Sequence, residues 1–171
     1  MYRILLVDEV PEVTSALADL LHRTPLIVRR REWHSQVETF SSPAKALMRM
    51  QVRGFDLALS GLRMFEMDGV TLLRRFHDLQ PDAVRMIVSS HADLYDSVAV
   101  INREGIERFI TRPWNDLELI GTIAEVLDRR ARYLRDQTVQ QLGGGRPGPS
   151  LEEPQMLLEP SPAQTHCGSD T

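Results

Sequence analysis

The 171-residue sequence predicts an α/β fold built on a doubly wound parallel sheet, and three observations predict it. Short apolar runs rich in β-branched or large side chains recur along the chain. Segments with apolar residues spaced near 3.6 fall between them, so strand and helix alternate. Half of the 10 glycines and half of the 10 prolines fall after Leu142, which sets the folded unit apart from the end of the chain. Parallel strands need crossover connections, and the helices that supply them cover both faces of the sheet.

Tyr2–Val7 (YRILLV) is the first expected strand and stops at two acids, Asp8 and Glu9. A helix follows over Pro11–His22, opened by a proline whose fixed φ suits a first turn. The link His22–Gln36 is long and concentrates charge at Arg29-Arg30-Arg31, so a solvated loop or an extended helix end is expected there. Val37–Phe40 is the second strand, and Ser42-Pro43 is an N-cap signal for a helix over Pro43–Gln51. Asp56–Ser60 is the third strand, and Asp68 is expected to cap the helix Gly69–Leu79. Val84–Ser89, a helix over Asp93–Asn102 and the strand Arg108–Thr111 complete the alternation.

Asn115-Asp116 opens the last helix, along which Ile120, Ala124, Leu127, Ala131, Leu134 and Thr138 alternate at spacings of four and three, as in a coiled-coil seam. The first turns must also pack on the sheet, while the run to Gln141 predicts a protruding helix, read either as one that forms a homodimer or docks a partner or as a solvated stalk. Residues 143–171 lack aromatics and periodicity and are expected to be a disordered tail, with Met156-Leu157-Leu158 as a short apolar patch.

Charge and cysteine content narrow the functions. The 20 Lys+Arg against 24 Asp+Glu give a net charge of −4, which disfavours wholesale binding to nucleic acid. Arg29, Arg30 and Arg31 beside Trp33 form a local exception, read either as a docking site for an acidic partner or phosphates or as a solvated run. Cys167 alone supports neither a disulfide framework nor a cysteine metal site within one chain, so a reducing, cytoplasmic setting is expected. No export signal opens the chain and no 18 apolar residues run uninterrupted, so no membrane partner is expected.

Ligands of such sheets sit at the carboxyl ends of the strands. Read there, the chain offers Asp8-Glu9, Gly61, Ser89-Ser90 and Arg112-Pro113-Trp114. With their surroundings, ILLVDEVPEV, FDLALSGLRMFEMDGVTLL, RMIVSSHADLYDSVAVINREGIERF and ITRPWNDLEL, these residues resemble the receiver domain of two-component response regulators. The resemblance runs from Tyr2 to Leu134 and implies a (βα)5, flavodoxin-like receiver fold with strand order 2-1-3-4-5. The division it implies is a receiver-like domain over 1–135, the end of an extended helix over 136–142 and the tail over 143–171.

In that family an Asp ending the third strand takes a phosphoryl group from a histidine kinase. An acidic pair and that Asp hold Mg²⁺, a Ser or Thr ends the fourth strand, and a Lys precedes the proline after the fifth. Laid on this pattern, Asp8 and Glu9 match the acidic pair and Ser89 the hydroxyl, with Ser90 its substitute if the register slips by one. The phosphoacceptor position falls on Gly61, Phe65 stands for the expected proline, and Arg112 stands for the lysine. Glycine can neither attack phosphorus nor supply a third carboxylate, so the implied pocket is degenerate. No cofactor is required, and Mg²⁺ is expected to bind weakly at most, through Asp8 and Glu9. Gly61 is also readable as a plain tight turn.

The planar guanidinium of Arg112 suits pairing with Asp8 or Glu9 in the space of metal and phosphate. Ser60 should point away from the pocket by strand alternation. The switch and interaction face carried over from the family holds Val100, Phe109 and Trp114, and Arg112-Pro113-Trp114 resembles receivers that precede HD-type cyclic-dinucleotide phosphodiesterases. The implied function is that of a stand-alone pseudo-receiver, not an enzyme, whose partner is a histidine kinase, a response regulator or an effector. The alternatives are a regulator phosphorylated at a non-standard site and a small-ligand sensor using the degenerate pocket.

Overall fold

A computed structural model describes residues 1–90 and 105–142. Strand β1 (Tyr2–Val7) leads to helix α1 (Pro11–Arg23), then to β2 (Leu26–Val28), β3 (Arg31–Trp33) and β4 (Ser35–Phe40). Helix α2 (Pro43–Val52), β5 (Leu57–Gly61), α3 (Gly69–Leu79), β6 (Val84–Ser90), β7 (Arg108–Arg112) and a C-terminal helix (Asp116–Leu142) follow. Five strands form one parallel sheet in the order β4-β1-β5-β6-β7, which is the expected 2-1-3-4-5 once β2 and β3 are set aside.

Strand alternation divides the core. Ile4, Leu6, Leu57, Leu59 and Met86 face α1 and the C-terminal helix, meeting Leu17, Leu21, Ile123 and Leu127. Leu5, Val7, Ala58 and Ile87 face α2 and α3, meeting Met50, Leu72, Leu73 and Phe76. The central strand β5 (LALSG) is buried along its whole length, as befits a parallel strand covered on both faces. Ser42 caps α2 through Lys45 N, and Asn115 Oδ1 accepts from Leu117 N at 3.0 Å and Glu118 N at 3.1 Å to open the C-terminal helix.

The link after α1 departs from expectation. Instead of a solvated loop, β2 and β3 form an antiparallel hairpin with Leu26 opposite Trp33 and Val28 opposite Arg31. Arg29 and Arg30 occupy its turn with φ of 55° and 60°, the left-handed pair of a type I′ turn, where Asn-Gly is the usual choice. The hairpin forms because it has a core to cover: Leu26 and Val28 are wholly buried in the cluster shared with the C-terminal helix, while Ile27 between them is exposed. Trp33 ties it down, its ring 5.3 Å from that of Tyr2 and its Nε1 donating to Val28 O at 3.3 Å. The arginine run is therefore a hairpin tip, not a loop.

The C-terminal helix is 27 residues long, about 40 Å. Of the heptad-spaced positions, Ile120, Ala124 and Leu127 are spent inside the core, Ala131 and Leu134 are half-buried, and Thr138 is exposed. Arg130 fastens the helix to the sheet's lower edge, with Nη1 2.9 Å from Asp56 Oδ1. No helix among the described residues is long and apolar enough to cross a membrane. The expected helix Asp93–Asn102, including Val100, and the tail 143–171 lie outside the described residues.

Candidate functional site

The site lies at the carboxyl ends of β1, β5 and β7, where strand order reverses around β1. Asp8 leaves β1 almost buried, at 6% exposure, and its Oδ1 accepts from Val10 N at 2.9 Å to close the turn into α1. Burial pushes its carboxyl above the ordinary value, against the pull of the Val10 N–H and the Arg112 guanidinium. Glu9 adds a like charge that reinforces the rise.

Gly61 ends β5 directly beneath this carboxylate. A Cβ there would lie 2.6 Å from Asp8 Oδ2, closer than real Cβ contacts come, and a tight 3.1 Å from its Cγ. The Asp8 carboxylate thus fills the volume a Gly61 side chain would need. This corrects the tight-turn reading: Gly61 is a buried strand residue, and close approach, not backbone conformation, leaves no free room for a side chain unless Asp8 moves.

Arg112, the last residue of β7, brings Nη1 to 3.9 Å from Asp8 Oδ2 with 29% of its side chain exposed. The partner is Asp8, one of the two anticipated, and the contact is a loose ion pair. Arg112 Nε is buried with no hydrogen-bond partner among the described residues. The following Arg112-Pro113 peptide is cis.

Glu9 does not join Asp8. Its Oε1 accepts from Phe65 N, so it clamps the β5–α3 connection and leaves the Phe65 ring 96% exposed. No sequence signal marks this clamp, because nothing local to Glu9 indicates which way its side chain leaves the turn. Ser60 Oγ donates to Gly61 O at 2.9 Å and lies 2.9 Å from where a Gly69 Cβ would stand, so it faces α3, as alternation required. Gly69 itself sits so close to β5 that a Cβ would fall 1.9 Å from Gly61 O. Asp68 caps α3, accepting from Thr71 N at 2.9 Å and from Thr71 Oγ1 at 2.7 Å. Burial opposes its charge, yet these bonds prevail and hold its carboxyl below the ordinary value.

Ser89 is buried beside Thr111, and Ser90 is half-buried beside Arg112. Alternation puts Ser90 in line with Met86 and Val88, on the face of Asp8 and Gly61, and Ser89 in line with Ile87 on the other. Phe109 is half-buried against the α3 side of the core and Trp114 against the opposite side, with Trp114 Nε1 donating to Asp116 Oδ1 at 3.2 Å. Phe109, Thr111, Pro113 and Trp114 line a cleft of about 220 Å³ along β7.

The donor set does not fit Mg²⁺, which demands several oxygen ligands in near-octahedral order. One carboxylate points inward, the second is engaged on Phe65 N, the third position is a glycine, and a guanidinium stands 3.9 Å from the first. No group of three His, Cys, Asp or Glu that could hold a metal occurs among the described residues. Behind Asp8 and Gly61, the space between Val13, Leu17, Leu59 and Val88 leaves no room for a water molecule.

A doubly wound sheet with an acid just after its first strand, hydroxyls at the end of its fourth parallel strand and an arginine ahead of a proline at the end of its last is the arrangement expected of a receiver module. Residues 4–124 match the family model described as response regulator receiver domain, and the chain belongs to that family. Among curated proteins it is 40% identical over 65 residues to the hydrogenase transcriptional regulatory protein HoxA of Bradyrhizobium diazoefficiens, covering 38% of this chain and 13% of that protein. It is 33% identical over 95 residues to the transcriptional regulatory protein GlrR of Escherichia coli, covering 56% of this chain and 21% of that protein. The chain thus spans about a fifth or less of these relatives.

Among solved structures, the signal receiver domain of an HD domain-containing protein from Pseudomonas fluorescens Pf-5 superposes with a TM-score of 0.67 at 28% identity, covering 78% of this chain and 92% of that one. A CheY-like receiver domain protein from Methanospirillum hungatei superposes with a TM-score of 0.66 at 24% identity, covering 78% and 98%.

Proposed function

We propose that this receiver signals without aspartyl phosphorylation and acts by protein–protein contact. The observation that carries the reading is the Asp8 carboxylate standing in the volume of the side chain that Gly61 lacks, with Arg112 closing over it. A carboxylate cannot attack phosphorus from a position that holds only a hydrogen. Ser60 and Asp68 do not replace it, because Ser60 faces α3 and Asp68 is occupied as a helix cap. The filled space behind Asp8 also favours contact over capture of a small ligand there. The partner we infer is a histidine kinase, another regulator or an effector, received along β7 near Phe109 and Trp114.

The test is intact-mass measurement after incubation with acetyl phosphate and Mg²⁺, beside a Gly61→Asp variant. The native chain is expected to gain no phosphoryl group. In the variant the Asp8 carboxylate must shift to make room, and two inward carboxylates would then offer a route to modification. Uptake of phosphate by the native chain would end the proposal.

A further inference from the structure

The hairpin creates a surface that the five-stranded sheet alone would not. Between it and the start of the C-terminal helix runs a groove of about 390 Å³, lined by Ile27, Leu117, Ile120, Gly121 and Ala124. The helix residues fall at i, i+3, i+4 and i+7, a single stripe. Ile27 is 54% and Leu117 80% exposed, so the groove offers apolar surface to water.

Its electrostatics are one-sided. The acids on its wall are already matched: Glu125 pairs with Arg108 and Arg129, and Asp128 pairs with Arg132. Arg29 at the mouth, with Arg30 and Arg31 beside it, has no ion pair among the described residues. An apolar floor with an unmatched cationic rim suits an apolar segment flanked by acids.

The chain carries one. Leu151-Glu152-Glu153-Pro154-Gln155-Met156-Leu157-Leu158-Glu159 sets three apolar residues in a row among glutamates and contains no Lys or Arg. Its reach is sufficient. Gly121 lies about 30 Å along the helix from Leu142, and the stretch from Leu142 to Leu157 spans up to about 50 Å when extended. The intervening residues read GGGRPGPS, and a tether of this length gives an effective concentration in the millimolar range.

We propose that the groove between the hairpin and the C-terminal helix is the docking site of this chain's own segment Leu151–Glu159. Met156, Leu157 and Leu158 cover Ile27 and Leu117, and the glutamates meet Arg29 and Arg30. Occupancy would hide the hairpin tip and the base of the C-terminal helix together, and a competing protein would have to displace the segment to reach them.

Cys167, the single cysteine, provides the probe. A nitroxide attached there to the full chain is expected to broaden the methyl signals of Ile27 and Leu117 and to spare that of Met48, an exposed residue of α2 on the opposite face. Broadening should vanish in a Met156→Glu, Leu157→Glu, Leu158→Glu variant and weaken as salt screens the arginines. Unchanged Ile27 and Leu117 signals in the native chain would overturn the proposal. So would broadening that persists in the triple variant. A mixture of spin-labelled chain with isotope-labelled Cys167→Ser chain reports contact between copies, and broadening as strong in that mixture as in the spin-labelled chain itself would equally refute docking within one chain.

Discussion

Replacing Gly61 with alanine adds one methyl group at the one place where the pocket has no room for it. In a strand interior the change should stabilise the chain by about 0.5–1 kcal/mol through reduced backbone freedom. Here the new Cβ would stand 2.6 Å from Asp8 Oδ2, so the carboxylate must shift, and turning Oδ2 away is expected to cost Oδ1 its 2.9 Å bond from Val10 N. Losing a hydrogen bond to a charged group costs about 1.5–3 kcal/mol. The net expectation is a loss of about 1–2 kcal/mol, a fall in Tm of roughly 2–8 °C for a chain of this size.

The decisive comparison is a double-mutant cycle read by urea unfolding, with the fluorescence of Trp33 and Trp114 as signal. In an Asp8→Ala background the obstruction is gone, and Gly61→Ala should become stabilising by about 0.5–1 kcal/mol. The coupling between the two positions is therefore about 1.5–3 kcal/mol. If Gly61→Ala is neutral in the native background, or the two changes simply add, the carboxylate does not fill the missing side chain's volume and the account of the pocket fails.

Asp8→Asn removes a charge that burial disfavours while keeping an oxygen for Val10 N, so the variant should be more stable than the native chain at neutral pH. Because the folded pKa is raised, the native chain gains on the variant as pH falls through that raised value toward the ordinary 3.8; paired melts across this window that show a constant gap would contradict the shift. Arg112→Ala should lower stability by about 1 kcal/mol or less, as a 3.9 Å, partly exposed pair allows; a neutral result in thermal melts would remove the guanidinium as the pocket's second occupant. Leu26→Ala should cost about 2–4 kcal/mol, because the residue is fully buried where the hairpin meets the C-terminal helix, and urea unfolding showing no loss would mean that the hairpin does not belong to the core.

What could be read from the residues divides along physical lines. Tyr2–Val7 and Gly69–Leu79 match the structure to the residue, because both are long apolar patterns bounded by acids, a cap or a polar turn. The orientation of Ser60 followed from alternation, and the capping by Asp68 from its place before an amphipathic run. The hairpin was illegible: its strands are three residues each, and Arg29-Arg30 carries none of the glycine or asparagine that usually announces left-handed turn residues. Its formation is decided by burial of Leu26 and Val28 against a helix some ninety positions later, a contact that no local window contains.

The site was legible by position but not by direction. Asp8, Gly61 and Arg112 do converge, since strand ends of a parallel sheet lie side by side. Glu9 diverges because the turn after β1 aims it at Phe65 N, a choice made by the path of the β5–α3 connection. The seam of the last helix shows the same limit, for the spacing of Ile120, Ala124 and Leu127 is identical whether they meet a partner helix or, as here, the chain's own sheet.

The clasp between Arg130 and Asp56 has a mechanical consequence. It is the most distal ion pair joining the C-terminal helix to the sheet among the described residues. The stretch from there to Leu142 is a rigid rod about 18 Å long. Pivoting the helix by about 10° at this clasp would carry the rod's far end through about 3 Å. A small repacking beneath the helix, too slight to alter the sheet, is thereby magnified into a displacement large enough for a neighbouring molecule to sense.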